Sequence, residues 1–115
     1  MESLKNQIVV VTGASSGIGK SIALELAKKG VVLCLLGRDL DSLEEVAQIA
    51  KQSTRGVHCY RVDLTVGQEI ADVCTSISAK FDAVDILVHS AGVISIESLE
   101  SASVEDFDWQ YKTNV

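Results

Sequence analysis

At 115 residues and a formal net charge of −6, the chain has the length of one domain, and its ten Lys and Arg are scattered, which excludes the basic stripe that nucleic acid or an anionic membrane surface would need. Hydrophobic residues make up 47% of it, with no Pro and 4% aromatics, which excludes a disordered chain and predicts an aliphatic core. The longest apolar run, residues 31–36, falls far short of the ~20 residues that span a bilayer, and Met1-Glu2-Ser3-Leu4-Lys5-Asn6 lacks a signal-peptide core, so a soluble, cytoplasmic protein is expected.

The first aliphatic run, residues 8–11, reads as a buried strand. A glycine-rich turn follows it, and then Ile18, Ile22 and Leu26 recur at helical spacing, interleaved with Ala23 and Ala27, as the greasy face of a first helix. Residues 31–36 read as the second strand. Leu40, Leu43, Val46, Ala47 and Ala50 mark a second helix, with Asp41 and Glu44 in the arrangement of a reciprocal cap. The third strand is expected at 58–62. Thr65 and Gln68 repeat the capping device ahead of Ile70, Val73 and Ile77, a third helix. A fourth strand at 86–88 precedes a last helix, opened by Ser103 and Asp106, that carries Phe107, Tyr111 and Asn114 on one side and reaches the chain end.

Strands that return through a helix pair in parallel with right-handed crossovers. The alternation therefore predicts an α/β fold, a partial Rossmann (doubly wound) sheet of strand order 3-2-1-4, in a single domain over residues 1–115. The outer edge of the fourth strand is expected to be unpaired and prone to join another chain. Cys34, Cys59 and Cys74 are odd in number, lack a Cys-x-x-Cys pair and lie in apolar segments, so they read as reduced, core-facing thiols with no metal site.

The turn after the first strand is Thr12-Gly13-Ala14-Ser15-Ser16-Gly17-Ile18-Gly19. Gly13 suits a tight turn, Gly17 lets backbone approach a pyrophosphate, and Gly19 lets the helix lie close on the strand. The unpaired N–H groups at the helix start favour a phosphate, and the Ser15 and Ser16 hydroxyls can add donors. A second reading arises because Ala14-Ser15-Ser16-Gly17-Ile18-Gly19-Lys20-Ser21 departs from the ATPase phosphate loop only at its first residue. On that reading Lys20 holds phosphates and Ser21 binds magnesium; Ala14 in place of glycine, and a fourth strand ending in His89 rather than Asp, count against it.

Thr followed by Gly-x-x-x-Gly-x-Gly resembles the loop of the short-chain dehydrogenase/reductase family, and the resemblance extends over the whole chain. It implies that Gly13, Ser15, Ser16, Gly17, Ile18 and Gly19 hold the dinucleotide. Asp63 in Val62-Asp63-Leu64-Thr65 resembles the family's acid after the third strand, which accepts from the adenine amino group, with Leu64 beside it. Ser90-Ala91-Gly92 resembles the end of the family's Asn-Asn-Ala-Gly under the adenosine ribose, with His89 and Ser90 in place of the two asparagines. Thr113-Asn114-Val115 resembles the helix whose Asn, through its backbone and a water, positions the catalytic Lys; Asn114 is thus the one catalytic-set residue carried here.

Relatives that prefer NAD close the second strand with an Asp; Gly37 stands there, followed by Arg38, where NADP-preferring relatives carry a basic side chain. A guanidinium fork suits the 2′-phosphate, so NADP(H) is the expected cofactor, with NAD(H) left open and the neighbouring Asp39 expected to draw off part of the Arg38 charge. The resemblance also implies a chain about twice as long, a small carbonyl or alcohol substrate, and hydride transfer assisted by a Ser and a Tyr-x-x-x-Lys pair. Tyr111 is followed four residues on by Val115, so the chain is expected to be catalytically incomplete. A non-catalytic module that sequesters cofactor, or pairs with a full-length relative through its last helix, is the alternative, and a homo-oligomer is left open.

Overall fold

A computed structural model describes residues 4–15 and 17–89 and the backbone of residues 92–95. β1 (Ile8–Thr12) is a run of aliphatic residues whose last four are buried, as expected of a strand covered on both faces. It pairs in parallel with β2 (Val32–Gly37) on one side and β4 (Ile86–His89) on the other, and β3 (Val57–Arg61) adds in parallel to β2. A short β5 (Gly92–Ser95) runs antiparallel to β4, giving the order β3-β2-β1-β4-β5. The first four strands keep the predicted order 3-2-1-4. The bare β4 edge expected from the sequence is corrected: its backbone groups are met by β5, with His89 opposite Gly92.

Two apolar layers sandwich the sheet. On one face α1 (Gly17–Ala27) and α2 (Leu40–Ala50) pack on Val9, Val11, Leu33, Leu35 and Val88. On the other, α3 (Gly67–Lys80) packs Ile70, Val73 and Ile77 against Val10, Cys34, Leu36 and Leu87. The alternation of one residue up and one down along β1 and β2 thus divides the core between the two helix layers. All three thiols are free, and burial pushes the Cys34 thiol up to about 12. Among the described residues no helix is long and apolar enough to cross a membrane.

Three local expectations change. The buried stripe of α1 is Gly19, Ala23 and Ala27, while Ile18 is 67% exposed and Ile22 and Leu26 only half-buried. Small residues on the inner line let the helix axis come close to the sheet, which larger side chains would hold away. The α2 cap is Asp39, not Asp41: its carboxylate accepts from the Asp41 amide at 3.1 Å, the Ser42 amide at 3.5 Å and the Ser42 hydroxyl at 2.8 Å. Asp41 lies already inside the helix. Thr65 does not cap α3 either, because the helix starts at Gly67 after Val66, which offers no capping side chain. The expected fourth helix lies outside the described residues.

Candidate functional site

Parallel pairing sends the four C-terminal strand ends to one edge of the sheet. Thr12 stands beside Leu36, Gly37 beside Arg61 and Val11 beside Val88, so the turns that follow β1, β2 and β3 emerge together. The crossovers run from β1 outward through β2 and β3 on the α1–α2 face, and α3 then returns on the opposite face to β4. β1 and β4 consequently flank the point where the winding reverses, where ligands bind in open α/β sheets.

At that point the glycine loop turns sharply. Gly13 has φ +63° and Gly17 φ +59°, left-handed values that cost an L side chain about 1–2 kcal/mol. The space where a Gly17 Cβ would stand is open to 4 Å, so the backbone there can be approached closely. Gly19 has the opposite reason: a Cβ would run into the Gly13 carbonyl oxygen, which pins the first turn of α1 against the loop. The loop is moored on both sides. The Ala14 amide donates to the Leu36 carbonyl at 3.3 Å, and the Thr12 hydroxyl reaches the Val88 carbonyl at 3.5 Å. The α1 N-terminus, whose first amides have no intrahelical partner and which carries the partial positive charge of the helix dipole, opens directly from this turn.

Arg38 is exposed just past β2, and among the described residues its guanidinium makes no hydrogen bond or ion pair. Asp39, expected to draw off part of the Arg38 charge, forms no ion pair with it: both Asp39 oxygens are taken up as the α2 cap, and the Ser42 hydroxyl, with the Ser42 and Asp41 amides, holds that carboxyl below its usual value. Past β3, Asp63 is partly exposed. Its Oδ1 accepts from the Thr65 hydroxyl at 2.6 Å and the Thr65 amide at 2.9 Å, and these bonds, with the nearby charges of Arg38 and Arg61, lower its pKa and favour the ionised form. Leu64 is buried beneath it, 8% exposed, in the α3-side core.

His89 ends β4 and is buried, 2% exposed; burial lowers its pKa and keeps the ring neutral near pH 7. Gly92 begins β5. The structure thus brings Gly13, Ser15, Gly17, Ile18, Gly19, Arg38, Asp63 and Leu64 to one sheet edge, whereas Ser16, Ser90, Ala91 and Asn114 lie outside the described residues. The exposure of Ile18, a large aliphatic side chain beside the loop, gives a ligand an apolar surface to cover. One participant escaped the sequence reading. Glu69, in the first turn of α3, accepts the Asp63 amide at 2.9 Å and the Arg61 guanidinium at 2.7 Å with the same oxygen. Its only sequence signal was an acid near a helix start, which reads equally well as a favourable dipole contact.

Comparison with known proteins points the same way. A family model described as short chain dehydrogenase matches residues 7–115. An uncharacterised oxidoreductase of Staphylococcus saprophyticus is 38% identical over 116 residues, covering 100% of this chain and 50% of that protein. The crystal structure of L-sorbose reductase from Gluconobacter frateurii, complexed with NADPH and L-sorbose, is 33% identical, with a TM-score of 0.72 over 98% of this chain and 43% of that one. A metagenomic short-chain oxidoreductase in complex with NADP is 34% identical, with a TM-score of 0.71 over 75% of this chain and 39% of that one. The chain therefore spans about half the length of the curated relative, and less of the two solved structures.

Proposed function

The chain belongs to the short-chain dehydrogenase family of oxidoreductases, and from that premise we propose that it forms the NADP(H)-binding portion of a cytoplasmic enzyme interconverting carbonyl and hydroxyl groups. The observation that carries the cofactor preference is Arg38: an exposed guanidinium with no ion-pair partner among the described residues, on a strand end where Gly37 offers no carboxylate to ribose hydroxyls. Its fork would take the 2′-phosphate. The left-handed Gly17, with open space above it, and the first amides of α1 fit a pyrophosphate, with Ser15 and Ser16 as added donors. Asp63 would accept from the adenine amino group with Leu64 beneath. Ser90, Ala91 and Gly92 would lie against the ribose, and Ile18 would cover the dinucleotide's inner side.

The bound nicotinamide would supply or accept a hydride at a small carbonyl or alcohol substrate. The proton for that step needs a Tyr-x-x-x-Lys pair, and the 115 residues contain none, since Tyr60 is followed four residues on by Leu64 and Tyr111 by Val115. Asn114 would serve by positioning the Lys of such a pair. The 115-residue chain is accordingly expected to bind cofactor without turnover.

Titration of the chain with NADPH, NADH and Mg-ATP tests the assignment. NADPH is expected to bind best, and Arg38→Ala to weaken NADPH by about tenfold or more, the scale of a charge-assisted hydrogen bond, while leaving NADH nearly unchanged. Tighter binding of Mg-ATP would restore the phosphate-loop reading. Oxidation of NADPH by the 115-residue chain with any of a panel of ketones would refute its catalytic incompleteness.

A further inference from the structure

We propose that Glu69 is a positioning residue for adenine recognition, holding Asp63 in place through its backbone rather than touching the cofactor; this rests on the dinucleotide reading above. A single oxygen, Glu69 Oε1, accepts from the Asp63 amide at 2.9 Å and from Arg61 Nη1 at 2.7 Å. It therefore binds both ends of the three-residue passage from β3 to Asp63. The rest of Asp63 is fixed as thoroughly. Its carbonyl accepts from the Val66 amide at 3.0 Å, and its Oδ1 takes both the amide and the hydroxyl of Thr65. Of the two Asp63 carboxylate oxygens, Oδ2 accepts no hydrogen bond from the described residues, so the turn presents one ionised oxygen on a hydrogen-bonded frame.

The geometry is not that of an ordinary helix cap. α3 begins after Val66, and a glutamate three residues past a cap residue commonly reaches back to the cap's own amide. Glu69 instead reaches three residues further, to Asp63, while the Val66 amide is satisfied by the Asp63 carbonyl. Nor does the ion pair explain itself by stability. The Arg61 and Glu69 side chains are 53% and 33% exposed, and pairs so open to water contribute little. What the clamp does supply is order at a recognition group before the ligand arrives, which lowers the entropic cost of binding. Arg61 also stands beside Gly37 in the sheet, so the clamp lies next to the strand end that leads into Arg38.

The test uses NADPH and its hypoxanthine counterpart, which lacks the amino group that an Asp63 carboxylate would accept from. Affinities are read from the nicotinamide fluorescence of each on the 115-residue chain. Wild type is expected to prefer the adenine form about tenfold, the scale of a hydrogen bond to a charged acceptor. Glu69→Ala should bring the two affinities within about threefold of each other, chiefly by weakening the adenine form. Glu69→Gln, whose amide oxygen can still accept from the Asp63 amide, should restore most of the preference; a purely structural role would lower both affinities in parallel and leave the ratio alone. Arg61→Met, at an exposed strand end, probes the clamp from its other side and should lower the ratio even if the alanine variant does not fold. An unchanged ratio in Arg61→Met, or in a folded Glu69→Ala, overturns the proposal. Failure of the wild type to bind either dinucleotide would instead refute the cofactor reading on which it rests.

Discussion

Replacing Gly19 with alanine adds one methyl group at a place where the structure has no room for it. The new Cβ would run into the Gly13 carbonyl oxygen and stand 2.8 Å from the Gly13 carbonyl carbon and 3.2 Å from the Thr12 carbonyl oxygen. Ordinary contact begins at 3.4 Å, so the carbonyl carbon alone must retreat by about 0.6 Å. Neither partner is a flexible side chain. Thr12 lies in register beside Leu36 in the sheet, and Ala14 is bonded to the Leu36 carbonyl at 3.3 Å, so either the loop or the whole first turn of α1 must move. Overpacking of this kind costs about 1–3 kcal/mol, and a clash against moored backbone belongs at the upper end; the gain of alanine over glycine in a helix offsets about 1 kcal/mol. A net loss of about 2 kcal/mol corresponds to a fall in Tm of roughly 8–16 °C for a domain of this size. Thermal unfolding followed by circular dichroism measures it. Gly67→Ala is the control, since a Cβ at that helix start meets nothing within 4 Å, and it should be neutral or stabilise by up to about 1 kcal/mol. If Gly19→Ala melted within 2 °C of Gly67→Ala, the close approach of α1 to the loop would be wrong.

Asp39→Ala should remove the α2 cap at about 1 kcal/mol, while Asp41→Ala, already inside the helix, should change stability by much less; urea midpoints of the two variants separate the cases, and the reverse order would return the cap to Asp41. Stability should decline on acidification below about pH 6.5. Burial lowers the pKa of His89, and burial with the charges of Lys80 and Lys51 lowers that of His58, so as pH falls the unfolded chain takes up protons before the folded one does. The stability present above the unfolded value is then lost as pH drops through the folded values. His89→Asn, which puts a non-titrating amide at the end of β4, should flatten that decline between pH 7 and 5 and leave the part due to His58; equal slopes in the two proteins would show that His89 is not held neutral by folding.

Much of the site was readable in advance because its signals are local. Glycine is chosen residue by residue where φ is positive, so Gly13 and Gly17 announce a turn in any context that folds. Arg38 and Asp63 each lie just past the end of a strand, and parallel pairing carries every such position to the same edge. Errors arose where two local rules competed. Asp39 and Asp41 both suit a helix start, and only the backbone, extended at Asp39 with φ −113° and ψ 103°, decides which carboxylate faces the open amides. Likewise Ile18, Ile22 and Leu26 have the period of a buried face, yet the fully buried stripe lies one residue on, with Ile22 and Leu26 packed at the margin of the core and Ile18 exposed.

What the sequence determined by itself was the alternation of strands and helices, hence a parallel doubly wound sheet, and the identity of the loop that turns at its switch point; these follow from periodicity and from glycine's backbone freedom, which are properties of neighbouring residues. Tertiary structure alone decided the rest. That α1 lies on its glycine and alanines depends on how near the sheet lets it come. That Asp39 is occupied as a cap, making no ion pair with Arg38, depends on where α2 begins. And that Glu69 reaches back across the β3–α3 turn to hold both Arg61 and Asp63 depends on a distance between two elements, which no spacing along the chain encodes.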